Sequence, residues 1–536
     1  MSMLQNPILR GFNPDPNIVR VNNDYYIATS TFEWFGGVQI HHSTDLVNWR
    51  VIGQALNTVE QLDMRGVPDS CGVWAAQLSY NNGRFYLVYT NVKSFDGPYK
   101  DTPNYFVSTT DITGNWSQAT YLNSSGFDPS IFHDDDGKSY LLNMLVDHRN
   151  NALFGGIVMQ ELCLKTNKLI GDVKPIFSGT KLGCTEGPHI LKRGDYYYLI
   201  TAEGGTGYEH CISVARSKNV FGPYQVHPHN PVITAAHEPS NTLQKCGHGD
   251  FFQTQAGDWY TVFLTSRPLT ERGRCITGRE TGIEQIIWKD DDWPYAKHTN
   301  KAPRIHVPVE GLTLNPQPQP TTHIDFSKDD LTVDFQSLRI PMCKSWVYKN
   351  AQKSSLTLVG KESLSSLHQQ SFIARRVQAH HTVSSTCVDF APSSFQQMAG
   401  LVCYYNTAHY YYLHISGGDV GDETTPRYLN IISCDKYQTS TPVAPLLLKT
   451  NKPVYLKADF NGAQLQFYYA TEKNCWIKFG PVLDGSILSD DYVQQSPQGY
   501  RPCFTGAFVG MACQDLSGRN KEAHYSFFNY DEPSDE

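Results

Sequence analysis

The first three hundred residues of this chain repeat one pattern of apolar and polar positions. A polar or aromatic residue leads, a short apolar strand follows, then a tight turn and an aromatic-rich strand. The copies begin at Asp15, Trp74, Asp128, Glu186 and His248, at intervals of 54 to 62 residues. Asn82-Gly83 and Asp136-Gly137 are strong hairpin-turn signals, and Gly194-Asp195 and Gly257-Asp258 occupy similar places. A second motif follows within some copies: Ser43-Thr-Asp-Leu-Val-Asn-Trp49, Ser108-Thr-Thr-Asp-Ile-Thr-Gly-Asn-Trp116 and, more loosely, Ser217-Lys-Asn-Val-Phe-Gly-Pro-Tyr224. Each unit can supply four short strands, the content of one propeller blade, so five units predict a five-bladed β-propeller.

Past about residue 310 the repeat fades. Asn315-Pro-Gln-Pro-Gln-Pro320 reads as a linker. Beyond it, runs such as Leu401–Asn406, Tyr410–Leu413 and Leu465–Tyr469 alternate with turn signals at Asn461-Gly462 and Asp484-Gly485. The expected organisation is all-β: a propeller over residues 1–314 and a β-sandwich over residues 321–536.

Radial repetition has a chemical consequence. Equivalent residues of successive blades point at one axis, so the leading positions should line one end of the central channel. Those positions hold Asp15, Trp74, Asp128, Glu186 and His248, three of them carboxylates. Burying unpaired charge is costly, so a packed centre would not ordinarily collect three acids. Opposed carboxyls are what glycoside hydrolysis needs: one protonates the leaving oxygen while the other activates water or attacks the sugar. Taken singly, Asp-Pro is a common turn dipeptide and Glu-Gly-Pro an ordinary loop; recurrence at matching positions carries the argument.

Composition narrows the class. The chain has 536 residues, 40% hydrophobic and 18% charged, which fits a globular protein of at least two domains. A net charge of −8 without a basic stripe argues against a nucleic-acid partner. No apolar span suggests a membrane segment, and Met1–Pro7 lacks the apolar core of a signal peptide. Thirteen scattered cysteines without a C-x-x-C pair fit buried thiols in a reducing compartment, so a cytoplasmic location is expected. A Walker loop, a G-x-S-x-G elbow and an H-E-x-x-H pair are all missing from the sequence.

Gly11-Phe-Asn-Pro-Asp15-Pro, Gly126-Phe-Asp128-Pro-Ser and Thr185-Glu186-Gly-Pro-His resemble the three signatures of glycoside hydrolase family 43. Phe32-Glu-Trp-Phe-Gly-Gly-Val-Gln-Ile and Gly278-Arg279-Glu-Thr-Gly resemble its β-xylosidase branch, as do Gly400–Asn406 and Phe504–Phe508 near the C-terminus. The resemblance implies a five-bladed propeller followed by a concanavalin-like sandwich. The implied enzyme is an inverting exo-hydrolase releasing D-xylose from the non-reducing end of short β-1,4-xylo-oligosaccharides. It assigns Asp15 as general base, Glu186 as general acid, and Asp128 as the residue that orients Glu186 and raises its pKa. Arg279 would bind sugar hydroxyls and Asp15, His248 would lie beneath the first sugar ring, and Phe32 and Trp74 would form apolar walls. Phe508 would reach in from the sandwich and close the pocket.

The implied partner is a small oligosaccharide, and a homo-oligomer is compatible with the reading. No cofactor is required. A divalent cation, Ca2+, on the propeller axis or in the sandwich is left open, although Tyr525–Phe528 lacks the acid that would join Asp325 in holding one. A second departure is Leu145-Val146-Asp147, where related enzymes often carry a Trp for stacking beyond the first sugar. The alternatives are an α-L-arabinofuranosidase, a dual xylosidase/arabinofuranosidase, or a sugar-binding protein without catalysis.

Overall fold

The computed structural model describes residues 2–298, 300–309, 321–422, 424–495 and 502–533. The linker read at 315–320 lies outside the described residues. Five antiparallel sheets of four main strands follow one another along the first domain. Their innermost strands are Asn17–Val21, Gly72–Asn81, Gly126–His133, Glu186–Arg193 and Gln244–Gln253, which we number as blades 1 to 5. The hairpin signals sit where the pattern placed them: Asn82-Gly83 joins Asn81 to Arg84 with positive φ at both residues, the geometry that matches strand twist.

Each blade comes from one continuous segment, so the ring must be closed otherwise. Ser2–Gln5 pairs antiparallel with His306–Val309, tying the two ends of the domain together. Between blades 5 and 1 this clasp buries Leu4, Ile18, Tyr25, Phe252, Tyr260 and Val307 in one apolar cluster.

A belt of side chains around the axis locks the blades in register. Asn17, Gln77, Ser130, His189 and Asp250 hold matching places on the five inner strands. Asp250 accepts from Asn17 Nδ2 (2.6 Å) and Ile18 N (3.2 Å), and Asn17 Oδ1 accepts from Leu78 N (2.7 Å). Gln77 Oε1 accepts from Ile131 N (3.0 Å), and Ser130 Oγ donates to the Pro188 carbonyl. His189 returns to Asp250 at 3.6 Å. Each blade thereby satisfies polar groups of its neighbour that burial would otherwise leave unpaired.

The second domain is a sandwich of an eight-stranded and a nine-stranded sheet. Trp346, Leu401, Leu413, Phe460, Phe467 and Tyr525 are among the side chains packed in its core. Its nine-stranded sheet takes its last strand, Trp34–Phe35, from the propeller, where it pairs with Gln336–Leu338. A continuous apolar cluster crosses the junction, joining Phe12, Phe32 and Trp34 to Phe372, Tyr404 and Phe508. The two domains share a core here. The thirteen cysteines are free thiols, most of them buried. Among the described residues no helix is long and apolar enough to cross a membrane.

Candidate active site

Each inner strand, or the residues just before it, passes through an unusual backbone conformation, and that conformation builds the site. Asp15 (φ 51°), Ala75 (φ 39°), Asp128 (φ 55°), Gly187 (φ 57°) and His248 (φ 45°) all occupy the left-handed region. Each stands two residues before the belt position of its blade. In blades 2 to 5 a register irregularity marks the same place, between Trp74 and Gln77, Phe127 and Ser130, Glu186 and His189, and Gly247 and Gly249. Such bulges re-aim side chains, and left-handed non-glycine residues are strained positions that cluster at functional sites. The repeat alignment is therefore corrected by one residue in two blades. Ala75 and Gly187 are the true equivalents of Asp15, Asp128 and His248, and Trp74 and Glu186 each stand one position earlier.

Seven of the eight expected residues line one pocket of about 340 Å³: Asp15, Asp128, Glu186, Arg279, His248, Phe32 and Trp74. Asp15 is nearly buried; its Oδ2 accepts from Ser30 Oγ at 2.6 Å, and its Oδ1 lies 3.4 Å from His248 Nδ1. Ser30 Oγ in turn accepts the N–H of Ala75 at 2.7 Å. Asp128 Oδ2 accepts the N–H of Gly187 at 3.1 Å. Gly187 is required there, since a Cβ would stand 2.8 Å from the His248 ring.

The acids are electrostatically unequal. Burial, and then the charge of Asp15, pushes the Glu186 carboxyl up to about 8, with Arg279 opposing. Burial also raises Asp128 well above the carboxylate range, helped by Glu186 and Asp15. Glu186 and Asp128 oppose each other's ionisation, and Asp15 adds to the repulsion on both. Burial lowers His248 as well, although Asp15 works against it.

Phe508 is the eighth expected residue, and the structure places it elsewhere. It opens the strand Phe508–Asp515, fully buried, stacked on Trp34 with centroids 3.8 Å apart and edge-on to Phe12 at 5.6 Å. From that strand position its ring points into the shared core. Phe504, in the irregular segment before the strand, lines the pocket instead, 5.8 Å from Phe32 and 5.4 Å from Trp74. The approach of this segment depends on Gly278, whose Cβ would fall 1.9 Å from the Thr505 carbonyl oxygen.

Other lining residues were missed by sequence reasoning. His210 donates Nδ1–H to the Lys245 carbonyl at 3.1 Å, and burial lowers its pKa to about 3, so it is neutral. Phe95, Phe127 and Phe154 extend the aromatic wall from Trp74. Phe154 pairs directly across from Val146, so the ring absent at Leu145-Val146 is supplied by the adjacent strand. The preceding left-handed residue, Leu153 (φ 58°), would have been the only local clue, and φ is invisible in sequence.

Among the described residues no three His, Cys, Asp or Glu side chains converge as a metal site requires. Asp325 is engaged by its own turn, accepting from Ser327 N at 3.0 Å.

The chain is 46% identical to a β-xylosidase of Bacillus subtilis (strain 168), with 99% of each chain covered. It is equally 46% identical to xylosidase/arabinosidase 43B of Humicola insolens, covering 99% of this chain and 98% of that one. A solved structure of xylan β-1,4-xylosidase from Bacillus halodurans C-125 superposes with a TM-score of 0.94 at 44% identity, covering 99% of this chain and 100% of the other. Residues 323–531 match the β-xylosidase C-terminal concanavalin A-like domain, residues 4–294 match glycosyl hydrolases family 43, and the chain belongs to that family.

Proposed function

We propose that this glycosidase removes xylose from the non-reducing end of short β-1,4-xylo-oligosaccharides with inversion. The observation that carries the reading is the pairing, in one pocket, of Asp15 with a Glu186 held neutral up to about 8. A carboxyl that is still protonated at neutral pH can donate to the glycosidic oxygen. Asp15, beside it in the same pocket, accepts a proton from water as the water oxygen attacks the anomeric carbon. The glycosidic C–O bond breaks, the Glu186 proton moves to the leaving oxygen, and solvent restores both groups.

The neighbours serve these two events. Asp128 binds the backbone one residue after Glu186, fixing where the acid stands. Neutral His248 and His210 and the Arg279 guanidinium offer hydrogen bonds to sugar hydroxyls, and Phe32, Trp74 and Phe504 give the ring an apolar wall. The sandwich supplies Phe504 and Gln494, which narrows the pocket toward single-sugar release. Full-length relatives named β-xylosidase support the choice of sugar, and one named xylan 1,3-β-xylosidase, from Vibrio sp. at 40% identity, makes the linkage worth testing.

Initial rates on matched nitrophenyl β-xyloside and α-arabinofuranoside, with xylobiose in both linkages, test the substrate. A faster arabinofuranoside rate overturns the choice of sugar. Proton NMR of the first product should show α-xylose; β-xylose appearing first overturns the mechanism.

A further inference from the structure

Arg279 is a cation of the propeller, yet the groups that fix it come from the sandwich. Its Nε donates to Asp490 Oδ2 at 3.0 Å, its Nη2 reaches the Cys503 carbonyl at 3.5 Å, and its guanidinium lies 4.5 Å from the Phe504 ring centroid. Asp490 opens a one-turn helix, Asp490–Val493, whose N-cap is Ser489. The next residue, Asp491, turns to the same blade: it pairs with Lys245 Nζ and accepts the N–H of Cys275 at 2.9 Å. The second oxygen of Asp490 accepts from the Tyr405 hydroxyl at 2.6 Å, on the strand Gln397–Asn406. The carboxylate is thus held on both oxygens, one by each domain.

Arginine carries five donors in one rigid plane, so anchoring Nε and Nη2 settles where the rest of the plane faces. Without that anchor, a buried guanidinium turns toward the nearest negative charge. Asp15 lies close enough to stabilise the Arg279 charge, and Arg279 close enough to oppose the protonation of Glu186. A displaced Arg279 would tie up the base and weaken the acid. We propose that Asp490 is a positioning residue of the active site, holding Arg279 toward the bound sugar and off the reacting carboxyls. The sandwich would then complete the propeller's site as well as cover it. This inference rests on the glycosidase reading of the pocket, with Arg279 as a hydroxyl-binding group.

Asp490→Asn preserves the shape and one oxygen acceptor while removing the charge. Tyr405→Phe removes the other hydrogen bond to the carboxylate without touching the propeller. Both are compared with wild type on whichever aryl pentoside wild type hydrolyses faster. A wrong sugar assignment then shows in wild type, and a wrong role for Asp490 shows in the variants. Asp490→Asn should lower kcat/KM about 100-fold, the scale of a misplaced catalytic group, and Tyr405→Phe should lower it in the same direction. In Arg279→Gln/Asp490→Asn the loss should equal that of Arg279→Gln alone, because one residue acts through the other. Wild-type kcat/KM in folded Asp490→Asn, or multiplicative losses in the double variant, would overturn the proposal. If Asp490→Asn does not fold, Tyr405→Phe carries the same cycle with Arg279→Gln, and additivity there overturns it equally.

Discussion

Asp128 and Gly187 stand on different blades and are joined by a 3.1 Å hydrogen bond from the Gly187 backbone N–H to the Asp128 carboxyl. The bond places Glu186 by its main chain. A side chain cannot wander if the peptide that carries it is fixed, and this peptide is held from the neighbouring blade. Blade 1 makes the same link to blade 2 with one residue interposed, Asp15 to Ser30 to the Ala75 N–H. The parallel shows one device serving both the proposed base and the proposed acid.

The device separates two roles of Asp128 that a single substitution would blur. Asp128→Asn loses the ionisable carboxyl but keeps an oxygen that can accept from Gly187, whereas Asp128→Ala removes the acceptor as well. Xylobiose kcat/KM should therefore fall further in Asp128→Ala, by about tenfold more than in Asp128→Asn, the scale of one hydrogen bond lost in a buried site. Equal losses would mean that the bond to Gly187 does not place Glu186.

Gly187→Ala tests the left-handed backbone itself. The residue sits at φ 57°, and a Cβ would stand 2.8 Å from the His248 ring. A left-handed alanine costs about 1–2 kcal/mol, and displacement of His248 disturbs the ring nearest Asp15. We expect a lower unfolding midpoint together with a fall in kcat of at least tenfold. Wild-type turnover in the stable variant would show that the site tolerates movement of His248.

The carboxylates and the five-fold repeat were legible because both are written in residue type and spacing. The one-residue offset at Trp74 and Glu186 was not, since a bulge shifts register without changing the apolar pattern. Phe504 and Phe508 show a different limit. Both are aromatic, four residues apart in one motif, and only the start of the strand at Phe508 decides which ring faces the core and which the pocket. Asp490 left no signal at all. It lies more than two hundred residues from Arg279 in the chain, in a short acidic turn that reads as solvent-exposed until the domains are docked.

A buried acid kept neutral has a stability signature. The folded pKa of Glu186, about 8, exceeds its ordinary value of 4.5, so the folded state holds a proton that the unfolded state releases between those values. The stability of wild type associated with this group is therefore full below pH 4.5 and lost as pH rises toward 8. Glu186→Gln cannot release that proton. It should unfold at a higher temperature than wild type at pH 7–8, by an amount on the order of 1–3 kcal/mol, and show no such gain at pH 4. A variant equally stable at both pH values would mean that Glu186 is not held protonated by its surroundings.

The same residue gives the sharpest test of mechanism. A general acid contributes about 10²–10⁴ in rate, and only when the leaving group needs the proton. Xylobiose leaves as a sugar alkoxide and needs it; dinitrophenolate does not. Glu186→Gln should nearly abolish xylobiose hydrolysis while retaining far more activity on dinitrophenyl xyloside. Wild-type kcat/KM on xylobiose should fall as pH rises through about 8, where the burial-raised carboxyl ionises. On the dinitrophenyl substrate wild type and Glu186→Gln should both lack that alkaline limb, because this leaving group departs without the proton. Asp15→Asn should behave in the opposite way, slowing both substrates alike, since water must attack the anomeric carbon in either case. If Glu186→Gln slowed the two substrates equally, the proton would have to come from another group in the pocket, and the roles of Glu186 and Asp128 would be exchanged.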